Sequence, residues 1–274
     1  MKSVFLFTVL AILTVTPVSY GQRRIVDLRP PSQGPIPVPA VAEFVTRLPA
    51  DLPPRAIGFA FDGKKFWAMI YHGRGRYATL DPVSLEWAKG ENELHASAIR
   101  EVAGAFHSPG GVCFAGGKLW VGGSYGESFG AINLQDWKVD RLFKGKVRED
   151  RGSQSYSSMV HDGSHLWIAW HWNNYVLPAS QTQQLLKVDP ETGKVIERFP
   201  APAGTKPDST HGLTWDGTKL WHMKDSKLSA IDPTSGNITT QYIVDQIKRP
   251  SGLAWDGRAL WIIEFGGDVW RLRI

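Results

Sequence analysis

The stretch Gly212-Leu-Thr-Trp-Asp-Gly217-Thr-Lys-Leu-Trp221-His-Met223 decides the fold. Two short runs rich in apolar and aromatic residues flank Asp216-Gly217, and Asp-Gly is a strong hairpin signal because Gly takes positive φ without penalty. The register recurs at Gly58/Gly63/Trp67, Gly111/Gly116/Trp120, Ser158/Gly163/Trp167 and Gly252/Gly257/Trp261. Successive tryptophans of the set lie roughly 40 to 54 residues apart, in or near the range of propeller-blade repeats. Each unit therefore opens with a hairpin. Asp62-Gly63, Asp162-Gly163 and Asp256-Gly257 repeat the turn, and Ala115-Gly116 is its looser copy.

A second hairpin follows in the clearest units, with Asp189-Pro190 closing at Gly193 and Asp232-Pro233 closing at Gly236. Pro presets φ, and the Asp side chain can bond the backbone beyond it. Leu80-Asp-Pro and Ile132-Asn-Leu are degenerate versions. Four antiparallel strands per unit, repeated radially, make a β-propeller. The fifth unit ends after a third strand near Asp268 to Ile274, whereas Glu43-Phe-Val-Thr-Arg-Leu precedes Gly58 much as Glu197-Arg-Phe-Pro precedes Gly212. The expected fold is all-β: a five-bladed β-propeller of four-stranded antiparallel blades, its ring closed by an N-terminal strand that removes an exposed edge.

Residues 1–22 read as a secretory signal: Lys2, the apolar stretch Val4 to Val15, then a small-residue exit at Ser19-Tyr20-Gly21. Residues 23–40, with five prolines between Pro30 and Pro39, read as an extended lead-in, and 41–274 as one propeller domain. A secreted or periplasmic location is expected, with no membrane span once the signal is removed. The lone Cys113 permits no intrachain disulfide and, among apolar neighbours, reads as a buried thiol. Net charge is +5, but the basic residues are scattered without an aromatic-interleaved block, which argues against nucleic-acid binding. No Gly-x-Ser-x-Gly nucleophile elbow and no phosphate-cradling glycine loop is present. A monomer is expected.

Within a blade, the first-to-second and third-to-fourth turns lie on one face of the disc and are tight here. The second-to-third loops and the blade entries lie on the other face and are long and irregular. Binding is expected on that second face, around the mouth of the central channel. Its candidate ligand-binding residues are Tyr71, His72, Tyr125, His171, Trp172, Asn173, Lys224, Asp225 and Glu264 from the loops and His211 from a blade entry. Trp67, Trp120, Trp167, Trp221 and Trp261 share one register and read as packing between blades. Trp172 breaks that register, which leaves two readings open: a ligand platform, or the hydrophobic anchor of a long loop. His72, His107, His171 and His211 could converge from different blades, but no short ligand spacing pins them, so neither a metal nor a cofactor is expected. No catalytic residue is assigned.

The unit Gly252-Leu-Ala-Trp-Asp-Gly257 with its following Leu-Trp, together with the Ile-Asp-Pro turns, resembles the repeats of glutamine-cyclotransferase-like propellers. It resembles those of gluconolactonase-type propellers more loosely. The likeness covers about Glu43 to Ile274 and includes Trp167-Ile-Ala-Trp-His-Trp172, similar to a family segment that delivers a tryptophan and a polar group to the pocket. The resemblance implies a pocket on the loop-rich face and, for true cyclotransferases, conversion of an N-terminal glutamine to pyroglutamate. The family's first-blade Glu has no counterpart in Phe66-Trp-Ala-Met-Ile70, and its Thr-Gln-Gly-Leu entry is Ala56-Ile-Gly-Phe59 here. The expected function is binding of a protein, glycan or small polar ligand on the loop-rich face. The alternative is a cyclotransferase-like or lyase/lactonase-like enzyme using the same pocket.

Overall fold

The computed structural model describes residues 34–53, 55–71, 75–90, 92–104, 109–124, 128–144, 153–173, 183–202 and 211–274. The leader assigned to residues 1–22 lies outside this set. The strands form five sheets, one per repeat unit. Blade 1 is β3 to β6 (Ala56–Phe61, Phe66–Ile70, Tyr77–Leu80, Trp87–Gly90), and blade 2 is β7 to β10 (Pro109–Ala115, Lys118–Gly123, Ser128–Asn133, Val139–Lys144). Blade 3 is β11 to β14 (Ser153–His161, Leu166–Asn173, Gln183–Val188, Val195–Pro200), and blade 4 is β15 to β18 (Gly212–Trp215, Leu220–Lys224, Lys227–Ile231, Ile238–Ile243). Blade 5 joins β19 to β21 (Pro250–Trp255, Leu260–Glu264, Asp268–Leu272) to the N-terminal β2 (Glu43–Arg47), which pairs antiparallel with β21. The ring is closed by the N-terminal strand as expected, and the Arg47–Asp268 and Glu43–Arg271 ion pairs flank that junction.

The repeat spacing has a specific cause. In blades 1, 3, 4 and 5 the first-turn Asp uses one carboxylate oxygen to accept the amides two and three residues on. Its other oxygen accepts the indole N–H of the Trp five residues on, at 2.7 Å each time. One side chain thus pins the turn and the orientation of the blade tryptophan. Blade 2 lacks the carboxylate and turns through Gly116 and Gly117 at φ 57 and 70. The third-to-fourth turns share a second device. The side chains of Asp81, Asn133, Asp189 and Asp232 accept turn amides, and the residue four positions later is left-handed: Leu85, Trp137, Gly193 and Gly236.

Packing follows the ring. Five hydrophobic clusters fill the five seams between blades, and each repeat tryptophan packs toward the next blade: Trp67 toward blade 2, Trp120 toward 3, Trp167 toward 4, Trp221 toward 5 and Trp261 toward 1. At the axis, a β-carbon on Gly58 would lie 2.6 Å from the Gly110 carbonyl oxygen, and one on Gly252 would lie 2.4 Å from Phe59 Cβ. The opening glycine of the unit is required by close approach. In blade 3, Ser158 takes that position, and its Oγ accepts the Leu213 amide of blade 4 at 3.0 Å.

Two elements were not expected. Helix α1 (Glu93–Ala103) sits between blades 1 and 2, capped by Asn92 through the Leu94 and His95 amides, and buries Ile99 and Val102. Within the Pro-rich lead-in, β1 (Val38–Pro39) pairs parallel with β18 as a fifth strand on blade 4. Cys113 is buried, and burial pushes its thiol far above the usual range.

Trp221→Ala should cost about 3–5 kcal/mol, as buried aromatic truncations do. Asp216→Ala, which leaves the indole and two turn amides without their acceptor, should cost about 1–3 kcal/mol. Burial tends to raise the Asp216 pKa, but the Trp221 indole and the turn amides outweigh it and lower the value below 3.8. That contribution is present above about pH 3.8 and is lost as pH falls further, so the gap between wild type and Asp216→Ala should narrow in acid. Urea melts showing no gap at pH 7 would remove the clamp from the account.

A chain beginning at Ala40 should keep a closed ring, whereas one beginning at Leu48 loses β2 and should melt at least about 10 °C lower. Equal melting of the two truncations would show that β2 does not lock the propeller.

Candidate functional site

Strand alternation divides each second strand between two seams. In β16, Trp221 and Met223 face blade 5, while Leu220 packs in the seam with blade 3, together with Leu213 of β15. His222 and Lys224 continue the Leu220 face. In β12, Trp167 and Ala169 face blade 4, and His171 continues their row. The lower part of the seam between blades 3 and 4 is apolar. Its loop-rich end is polar.

There His211, at the entry to blade 4, places Nδ1 3.0 Å from His222 Nε2, and Lys224 Nζ lies 3.3 Å from His211 Nε2. The His171 ring centroid is 6.5 Å from that of His211. All four side chains are almost fully buried, with His222 at 0% exposure and His211 and Lys224 at 2%. The pairing register sets buried Ser155 and Gln183 directly opposite His171, on the same side of blade 3. Across blade 4, Ser229 lies opposite His222, and Gln241 Nε2 donates to Ser229 Oγ at 2.9 Å.

Burial is the largest influence on both blade-4 histidines. It pushes His211 well below the usual imidazole range, and the positive fields of Lys224, His222 and His171 push in the same direction. His222 is pushed down to about 3 by burial and by Lys224. Both rings are therefore neutral at pH 7. Among the described residues, no group of three or more His, Cys, Asp or Glu side chains is arranged to hold a metal.

The candidate residues separate into groups. His171, His211 and Lys224 meet, and Asp225 follows in a left-handed turn at φ 52. Trp172 does not join them. It is 3% exposed on the opposite face of β12, in the core between blades 2 and 3 with Trp170, and so takes the packing role of its two readings. Trp170 donates to Gln154 Oε1 at 3.1 Å in the same layer. Glu264 accepts the Lys248 and Arg249 amides and the Trp270 indole, fixing the entry to blade 5. Tyr71 lies beside Phe265, over which Arg249 sits at 4.0 Å. Tyr71 thus belongs to the seam between blades 5 and 1, whereas Glu264, bonded to Trp270, continues the Leu260 and Ile262 face toward blade 4. His72 and Tyr125, and the side chain of Asn173, lie outside the described residues. His222 was missed. Its signal was available, because the residue after the repeat tryptophan is Ala68, Val121, Ile168 or Ile262 in the other blades.

No protein family matches the chain, and no curated protein resembles it in sequence. Solved structures do share its architecture. Glutaminyl cyclase from Myxococcus xanthus superposes with a TM-score of 0.57 at 12% identity, covering 87% of this chain and 98% of that one. Virginiamycin B lyase from Staphylococcus aureus superposes with a TM-score of 0.51 at 13% identity, covering 85% and 99%. The chain shares the fold of these proteins. No helix among the described residues is long and apolar enough to cross a membrane.

The lowered histidine pKa values set a pH dependence. The unfolded chain protonates His211 and His222 near pH 6.5 and the folded chain does so only at lower pH, so their contribution is present above 6.5 and is lost as pH falls below it, for His222 toward about 3. Thermal melts should therefore fall between pH 6.5 and 4.5, and His222→Phe should flatten the profile. An unchanged slope in the variant would show that His222 is charged in the fold or exchanges with solvent.

Proposed function

We propose that the protein is an exported β-propeller that binds a small polar ligand at the blade 3–4 side of its loop-rich face, with His171, His211, His222 and Lys224 as the recognition group. Export is part of the proposal, supported by the leader-like residues 1–22. The observation that carries the reading is a local break in the repeat. At the register after the repeat tryptophan, blades 1, 2, 3 and 5 have Ala68, Val121, Ile168 and Ile262, whereas blade 4 has His222, with Lys224 two residues on along the same face. Burying an amine and two imidazoles in one seam is unfavourable for stability. Places where a repeat breaks its own packing rule are where function is expected.

A second reading is enzymatic: the two similar structures are, by name, a cyclase and a lyase. An enzyme would use the same cluster.

Thermal-shift screening against amino acids, small carboxylates and oligosaccharides should return a ligand. At a hundredfold excess over Kd it stabilises by about 2.7 kcal/mol, or roughly 5–10 °C. His211→Ala should abolish the shift. A ligand that shifts wild type and His211→Ala equally would move the site elsewhere, and release of ammonia from a Gln-initiated peptide would select the enzyme reading.

A further inference from the structure

The two contacts of His211 with Lys224 and His222 fix the direction of both hydrogen bonds in this trio. A protonated lysine amine has only donors, so Lys224 donates to His211 Nε2. A neutral imidazole that accepts at Nε2 carries its proton at Nδ1, so His211 donates from Nδ1 to His222 Nε2. By the same rule, His222 carries its proton at Nδ1. That atom is buried and has no hydrogen-bond partner among the described residues. Its ring is 0% exposed. The acceptor atoms of both rings, His211 Nε2 and His222 Nε2, are used within the trio. What His222 has left to offer is one N–H donor. An imidazole whose Nδ1 is protonated and whose Nε2 is engaged has no lone pair for a metal, so this pair of rings does not read as half of a metal site.

A buried donor without an acceptor is unfavourable, and an occupant carrying an acceptor removes that penalty. The fields that act on these rings are positive, so an anionic acceptor gains more there than a neutral one. We infer that His222 Nδ1–H is the recognition point of an enclosed site for a small carboxylate or inorganic anion in the seam between blades 3 and 4, with its polarity set by Lys224 through His211. The inference rests on the proposed binding role of the same cluster and names the chemical class of its ligand.

Nitrogen-detected NMR of 15N-histidine-labelled protein at pH 7 tests it directly. His211 and His222 should both be the Nδ1–H tautomer, which is the minor form of free histidine. Titration with acetate, and separately with phosphate, should shift the His222 Nδ1–H resonance to saturation and leave His165, which is half-buried at the other end of blade 3, unmoved. Lys224→Met should return His211 to the Nε2–H form and remove the anion response, and Lys224→Arg should restore both. An Nε2–H tautomer at either ring in the wild type overturns the inference. So does the expected tautomer pair with no response to either anion. A ligand from the thermal-shift screen that stabilises the protein without moving the His222 signal would keep the binding role and reject this site, so the two failures are separable.

Discussion

In this ring the inner strands of neighbouring blades come nearer to one another than most side chains allow. That constraint falls on the residue of each inner strand that faces the next blade. At Gly111, a β-carbon would lie 2.5 Å from Met159 Cγ, and at Gly212, 2.7 Å from Leu253 Cβ. Neither approach is open to a side chain without moving the neighbouring blade. The glycine that opens four of the five units is therefore the residue that permits this close approach at the axis. Blade 3 meets the same constraint differently, because Ser158 turns its hydroxyl into a hydrogen bond to the Leu213 amide. The seam between blades 3 and 4 is thus the one joined at the axis by a polar side-chain contact in place of a glycine.

Once the axis is closed, the Asp–Trp clamp sets what faces each seam. By holding the indole at a fixed distance from the turn, it fixes the register of the second strand, and a one-residue slip would exchange the two faces of the sheet. With Trp221 directed toward blade 5, His222 and Lys224 are necessarily directed toward blade 3. With Trp167 directed toward blade 4, His171 follows it and Trp172 turns away. The meeting of His171, His211, His222 and Lys224 is a consequence of register in two neighbouring blades, with no dedicated loop needed to bring the two halves together.

The features legible in the sequence were those that repeat. Blade number, turn positions and the closing role of Glu43–Arg47 all followed from a period that physical constraints keep nearly constant. Leu85 and Trp137, which occupy the left-handed position held by Gly193 and Gly236, show that even the degenerate turns keep the geometry. Features that occur once were harder to read. Helix α1 carries an Asn cap and apolar residues at Ala96, Ile99 and Val102, but eleven residues between two strands were absorbed into an inter-blade loop. Strand β1 is two residues long and defined only by its partner Tyr242–Ile243, which no local pattern reports. Trp172 was ambiguous because loop position and strand face are different properties, and only the pairing of Gln154 with Trp172 extends the strand far enough to settle the face.

The polar seam also explains why so basic a cluster is tolerated inside a propeller. An isolated ammonium in an apolar interior would lose its proton or disrupt the fold. Here the charge is placed at the loop-rich end of the seam against a chain of two neutral imidazoles, each able to polarise toward it. Hydrogen-bonded chains of this kind strengthen one another in a low-dielectric setting. The same chain carries the influence of the amine along the seam, from buried Lys224 to His222, whose Nδ1 is fully enclosed. Below it, the Trp167, Leu213 and Leu220 layer excludes water and keeps the local dielectric low. An apolar floor and a one-directional donor chain together make the seam selective for acceptors, and the rigidity of both follows from the register that the clamp imposes.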